Sequence, residues 1–278
     1  MQNQTSPLIL SFGVADPVGA TGVAADLATF AALGCHGLSV TTALLIGDTA
    51  RVEDSQQIDP DWIADQARVL LEDMAVDAIK VGALSNAEQV SAIAEIVSDY
   101  PEVPLILDPF VSSLPEPGED GDELLTALRQ LLVPQTTLLM LSQVELERLA
   151  ETWRDASTAD TRQADIDYLL ELGCEYVLLT GTGDQGRRAN TLYNADGVVR
   201  QDYWQPLPGT FLGAGSTLSA AITALMAHRG LGIDGDDAPQ AVLAAQEYTA
   251  GALAHAQRYG MGRLIPNRYF RLHPATPH

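Results

Sequence analysis

PLILSFGVADPVGATGVAADLATFAALGCHGLSVTTALLIG, from Pro7 to Gly47, contains the pattern that sets the fold. The run PLILSFGVA is apolar almost throughout, as expected of a strand covered on both faces. A Pro/Gly turn leads into VAADLATFAALG, whose apolar residues recur at helical spacing, and Gly34 closes that helix before a second apolar run, GLSVTTALLIG. Strand, helix and strand in that order join parallel neighbours through a crossover. The unit then repeats. DAIKVGAL, PLILDPF, TTLLMLS and EYVLLTG read as buried strands, and PDWIADQARVLLEDM, NAEQVSAIAEIVSDY, DGDELLTALRQLL and TRQADIDYLLELG read as the helices around them. The pattern predicts an α/β chain with a mostly parallel, doubly wound sheet covered on both faces, as a single domain over residues 1–278.

After Gly181 the reading changes. TLYNADGVVRQDYWQ carries β-branched and aromatic residues around a turn signal and predicts an antiparallel hairpin at the sheet edge. Two helices are expected near residues 216–228 and 237–258, followed by a tail rich in Arg, Pro and His. SLPEPGEDGDE, residues 113–123, is expected to be the most mobile loop.

A formal net charge of −22 repels polyanions and argues against nucleic acid or an anionic membrane surface as partner. The single lysine, Lys80, stands against fourteen arginines, a bias that together with the acidic excess suggests a cytosol of high ionic strength. Lys80 lies within a strand pattern and reads as a structural ion pair. Cys35 and Cys174 have no metal-ligand spacing around them and read as buried free thiols. No segment has the length of apolar sequence that a membrane span needs, and a cytoplasmic location is the default expectation.

Ligands of open α/β sheets bind beyond the carboxyl ends of the strands. The stretch LPGTFLGAGSTLSAAITALMAHRG, Leu207 to Gly230, brings Gly209, Gly213 and Gly215 there, just ahead of a helix whose first residue reads as Ser216. Free N–H groups at a helix start hold phosphate. Ser216 reads either as a helix cap or as a cap that also hydrogen-bonds the substrate or phosphate. With carboxylates such as Asp108 at other strand ends, the natural inference is metal-assisted phosphate chemistry. Spacing alone leaves kinase and synthase both open.

ADPVGATGVAADLATFAALGCHGLSVTTALL, IKVGALSN, LILDPFVSS, LGAGSTLSAA and YGMGRLIPNRYF, in this order over nearly the whole chain, resemble the hydroxymethylpyrimidine and phosphomethylpyrimidine kinase family of the ribokinase-like superfamily. The resemblance implies a three-layer αβα fold. It also implies that the γ-phosphoryl of ATP is transferred, with Mg²⁺, to a small hydroxymethylpyrimidine or its monophosphate in thiamine biosynthesis, and that the protein is a homodimer. By the same match, Gly213, Ala214 and Gly215 form an anion hole with Ser216 at the position of the base. Asp26 holds the pyrimidine, with Gly47, Ala83 and Phe110 on the substrate side. Ser142, Thr180 and Gly181 face the nucleotide, and Glu145 and Asp108 lie near the metal.

The chain departs from the family pattern at several polar positions. Ser216 stands in place of a Cys, Leu212 of a His, Ser142 of an Asn, Thr180 of a Lys and Gly47 of a Gln. A serine hydroxyl is a poor base, and a phosphate monoester needs none. The expected preference is therefore for the monophosphate over the free alcohol. Two alternatives accompany this reading: a non-catalytic small-molecule binder, and a kinase for a B6 vitamer. His228 and His255 are expected on the surface. The tail arginines Arg263, Arg268 and Arg271 have the chemistry to clamp a phosphate, but a solvated tail or a subunit contact is the place expected for them.

Overall fold

The computed structural model describes residues 6–110, 118–154, 161–184, 186–229 and 238–272. Its centre is a nine-stranded sheet in the order β3-β2-β1-β4-β5-β6-β7-β8-β9. The strands expected from the apolar runs are β1 (Leu8–Ala15), β2 (His36–Gly47), β4 (Ala78–Val81), β5 (Leu105–Leu107), β6 (Leu138–Ser142) and β7 (Tyr176–Asp184). All pair in parallel. β8 (Arg187–Asn194) and β9 (Gly197–Trp204) form the expected antiparallel hairpin beyond β7. The other edge was not expected: β3 (Val52–Gln57) pairs antiparallel with β2. All six residues of VEDSQQ are exposed, so backbone pairing alone makes this strand. A charged, short edge strand of this kind also resists pairing with other chains.

Helices α1 (Gly22–Ala32), α7 (Ala214–Arg229) and α8 (Ala238–Ala254) cover one face. α2 (Pro60–Asp73), α3 (Ala87–Ser98), α4 (Glu119–Ala127), α5 (Gln143–Ala150) and α6 (Arg162–Glu171) cover the other, over the larger core cluster. Their sequences explain their ends and faces. In α2, Pro60 occupies the first turn and the Asp59 carboxylate accepts the Asp61 N–H, while Ile63, Ala64, Ala67 and Leu71 form the buried stripe. In α3, Asn86 caps the Gln89 N–H, and the Gln89 amide donates to Thr42 O and Ile58 O, fastening the helix to β2 and to the end of β3.

Several boundaries differ from the sequence reading. α7 starts at Ala214, so Ser216 is the third helical residue and not the cap. Gly213, at φ +87°, makes the turn one step earlier than the serine suggests. α8 ends at Ala254, and the chain then folds back, with Gln257 bridging Ile265 and Phe211 bridging Leu264. Residues 113–117 of the acidic loop lie outside the described residues, whereas Glu119 to Glu123 are already helix.

Cys35 and Cys174 are buried and free, and burial pushes their thiols up to about 11 and about 12. Among the described residues no helix is long and apolar enough to cross a membrane. The excess acidic charge gives a first testable outcome. Raising KCl from about 0.05 M to about 2 M shrinks the screening length to a few Å, and the thermal midpoint is expected to rise. A midpoint that is flat or falls over that range, followed by circular dichroism, contradicts adaptation to high salt.

Candidate active site

β1 lies between β2 and β4, so the chain leaves β1 toward one edge and later returns to its other side. Crevices form at such switch points. There, Ser11 of β1 and Lys80 of β4 are register partners, and Asp26 of α1 lies against both. Ser11 Oγ donates to Asp26 Oδ2 at 2.7 Å and Lys80 Nζ donates to the same oxygen at 3.1 Å. All three side chains are buried, and Asp26 Oδ1 has no partner among the described residues. Lys80 is thus in a buried ion pair. Its partner is the carboxylate that sequence reasoning assigned to a pyrimidine.

The turn after β1 is built by Asp16. Its carboxylate accepts the N–H groups of Val18, Ala20 and Thr21 at 2.9 to 3.0 Å, and the Thr21 hydroxyl at 3.0 Å. Gly22 closes the turn at φ +59°, where a Cβ would lie 2.0 Å from Val14 O. The loop so formed packs against the start of α7. A Cβ on Gly213 would lie 1.8 Å from Ala20 O, so only glycine permits this approach.

The first helical bond of α7 is Thr217 N–H to Gly213 O, at 3.0 Å. The amides of Ala214, Gly215 and Ser216 precede it and have no acceptor within the helix. Ala214 and Gly215 line a cleft of about 770 Å³ together with Thr180, Gly181, Arg188 and Trp204. The opposite wall is fixed by a polar network. Gln246 Oε1 accepts from Asn190 Nδ2 and Trp204 Nε1, and Asn190 Oδ1 accepts the Gly181 N–H. Sequence reasoning passed over Gln246 and Asn190, because their pairing joins α8 to β8 across 56 positions.

Ser216 is buried, and no hydrogen bond involves its hydroxyl among the described residues. One turn further on, Ser219 Oγ donates to Asp108 Oδ2 at 2.7 Å. Asp108 is buried at the end of β5, and burial pushes its carboxyl up to about 6. Lys80 and the Ser219 hydrogen bond oppose that shift, and the nearby Glu145 and Asp26 add to it. Glu145 folds back on its own helix. Its Oε2 accepts the Ser142 N–H at 2.5 Å and the Ser142 hydroxyl accepts the Glu145 N–H, forming a capping box at the start of α5. Burial raises the pKa of Glu145. Among the described residues no three His, Cys, Asp or Glu side chains come together as a metal cage.

Thr180 and Gly181 therefore share one cleft with Ala214 and Gly215, and Ser142 sits beside Thr180 as its register partner. Ala83 is tied to β2 by Thr42 Oγ1, which donates to Ala83 O at 3.1 Å. Phe110 packs in the larger core cluster. Gly47 belongs to the tight β2–β3 turn, where a Cβ would lie 2.8 Å from Arg51 O. The described contacts do not connect Gly47 with Asp26.

The family model for phosphomethylpyrimidine kinase matches residues 16–267, a span that includes the Asp16 turn, Asp26, Asp108 and the α7 loop. The chain belongs to the phosphomethylpyrimidine kinase family. Membership makes it a phosphotransferase by family. It is 32% identical over 266 residues to the hydroxymethylpyrimidine/phosphomethylpyrimidine kinase of Salmonella typhimurium, covering 92% of this chain and 94% of that one. Among solved structures, the ADP complex of Bacillus subtilis pyridoxal kinase superposes with a TM-score of 0.81 at 24% identity, over 97% of this chain and all of that one. Phosphomethylpyrimidine kinase from Clostridium difficile superposes with a TM-score of 0.70 at 25% identity, over 89% of this chain and all of that one. The mostly parallel sheet with its antiparallel edge hairpin is the ribokinase-like fold of these pyridoxal and phosphomethylpyrimidine kinase structures.

Proposed function

We propose that this protein transfers the γ-phosphoryl group of ATP to a hydroxymethylpyrimidine monophosphate in thiamine biosynthesis, and that it acts on the free alcohol more slowly. The observation that carries the reading is the cleft that Ala214 and Gly215, at the start of α7 where amides have no acceptor within the helix, line together with Thr180 and Gly181. Amides fixed in this way favour the charge that spreads over a phosphoryl group in flight, and they need no reorganisation as it moves. The unpartnered Oδ1 of Asp26 supports a substrate role for that carboxylate. It is shielded from bulk water, so an exocyclic amine that reaches it satisfies a buried acceptor without displacing hydration.

Asp108 and Glu145 would hold Mg²⁺. The charge of Glu145 acts on the Asp108 carboxyl, and carboxylate oxygens suit a hard divalent cation, whose remaining ligands are usually phosphate oxygens and water. When bound, that ion neutralises negative charge on the phosphates. Ser216 would hydrogen-bond the acceptor or the phosphoryl group without removing a proton.

The reading is tested by assaying both pyrimidines with the wild type and Ser216→Cys. The wild type is expected to turn over the monophosphate faster than the alcohol. Ser216→Cys is expected to raise alcohol turnover by about 10-fold or more and to leave monophosphate turnover within about 3-fold, because restoring a base helps only the acceptor that must lose a proton. Faster alcohol turnover by the wild type, or no gain in the cysteine variant, contradicts the proposal. The lack of a base at Ser216 favours one other reading, a binder that no longer catalyses. Nucleotide binding without turnover of either pyrimidine would establish it.

A further inference from the structure

Arg268, expected from sequence in a solvated tail or subunit contact, is instead 5% exposed and sits beneath the start of α7. The returning chain after α8 carries it there, and the Tyr248 hydroxyl fixes its backbone by donating to Arg268 O at 2.6 Å. Its guanidinium grips two loops at once. Nη1 donates to Gly19 O at 3.1 Å and Nη2 to Ala20 O at 2.5 Å, while Nε donates to Thr217 Oγ1 at 3.1 Å. The Thr217 hydroxyl in turn donates to Gly213 O at 2.7 Å. A planar fork is what allows one side chain to reach all three acceptors.

Every one of these acceptors is neutral. Asp26 and Asp16 act on the guanidinium only through space, and burial works against its charge. An ion buried with no carboxylate in direct contact is costly, by several kcal/mol in general. This one lies beside unpaired helix amides in a molecule whose net charge is −22. Without it, the carbonyl oxygens of Gly19 and Ala20 would set negative partial charge against the place where those amides gather.

We propose that Arg268 is the positioning residue of the phosphoryl site: it locks the Asp16 turn to the Gly213 loop, and its buried charge has the bound phosphoryl anion as its counter-ion. The proposal rests on the reading of the α7 start as that site.

The test measures binding to the full-length protein by calorimetry, with tripolyphosphate, a non-hydrolysable ATP analogue and adenosine as probes. Arg268→Gln is expected to weaken both phosphate-bearing probes by about 10-fold or more, the scale of losing one charge-assisted interaction, with adenosine within about 2-fold. Arg268→Lys keeps the charge and loses the fork, so an intermediate loss of about 3-fold is expected for the phosphates alone. Equal losses for adenosine and the phosphates, or no loss in either variant, overturn the proposal. If Arg268→Gln does not fold, the lysine variant decides on the same criteria. A wild type that binds tripolyphosphate but not the ATP analogue defeats the kinase reading, and the tripolyphosphate comparison still judges Arg268. A wild type that binds neither polyanion overturns both.

Discussion

Replacing Lys80 with methionine is expected to destabilise the protein by about 3 to 5 kcal/mol, because it leaves buried charge uncompensated. Lys80 is 1% exposed and donates to Asp26 Oδ2, and its charge also favours ionisation of Asp108. Methionine fills much of the same volume, so the loss is electrostatic and not a cavity effect. Among the described residues Asp26 would keep only its Ser11 hydrogen bond, and Asp108 would lose the cation that favours its ionised form. For a chain of this size the loss corresponds to a fall in melting temperature of roughly 10 °C. Adding Asp26→Asn to Lys80→Met removes one of the stranded charges and is expected to recover a large part of the loss. Urea denaturation of the two single variants and the double variant measures this directly. A Lys80→Met protein within about 1 kcal/mol of the wild type would contradict this, showing that the stranded carboxylate is neutralised at little cost.

The second large effect is expected at Gly213. An alanine there must adopt φ +87° and place its Cβ 1.8 Å from Ala20 O, so the backbone of one loop or the other has to move. The conformational strain alone is about 1 to 2 kcal/mol, and displacing the loop adds to it. The loop carries the amides proposed to hold the phosphoryl group, and loss of such a donor costs about 10² to 10³ in turnover. Gly213→Ala is therefore expected to lose activity well beyond its loss of stability. Gly197→Ala is the control, since it also has positive φ but nothing lies within 4 Å of its Cβ position. Equal activity losses in the two variants would attribute the effect to folding.

The parallel strands were legible in the sequence because each is a short apolar run, a pattern that burial on both faces imposes. β3 was not legible, since VEDSQQ has neither apolar alternation nor buried side chains and depends on its neighbour's backbone. Ser216 looked like a cap because serine often is one. The conformation of Gly213, which starts the helix earlier, leaves no mark in the sequence. Strand ends and glycine spacing located the α7 loop and drew attention to Asp108, while the roles of Asp26 and Glu145 were assigned through family resemblance. Arg268, whose chemistry suits a phosphate clamp, was assigned to a solvated tail or subunit contact for a different reason. Its partners are Gly19, Ala20 and Thr217, and nothing local in YGMGRLIPNRYF indicates that the tail turns inward. The ion pair of Lys80 was readable from its strand position, but its partner was not, because α1 and β4 meet only in the fold.

The most direct measurement is a titration of labelled protein with a non-hydrolysable ATP analogue and Mg²⁺, following the backbone amides by NMR. If the start of α7 holds the phosphoryl group, the amide resonances of Ala214, Gly215 and Ser216 shift most, together with those of Thr180 and Gly181 across the cleft. If these resonances stay in place while others move, the phosphates bind elsewhere and the proposed site is wrong.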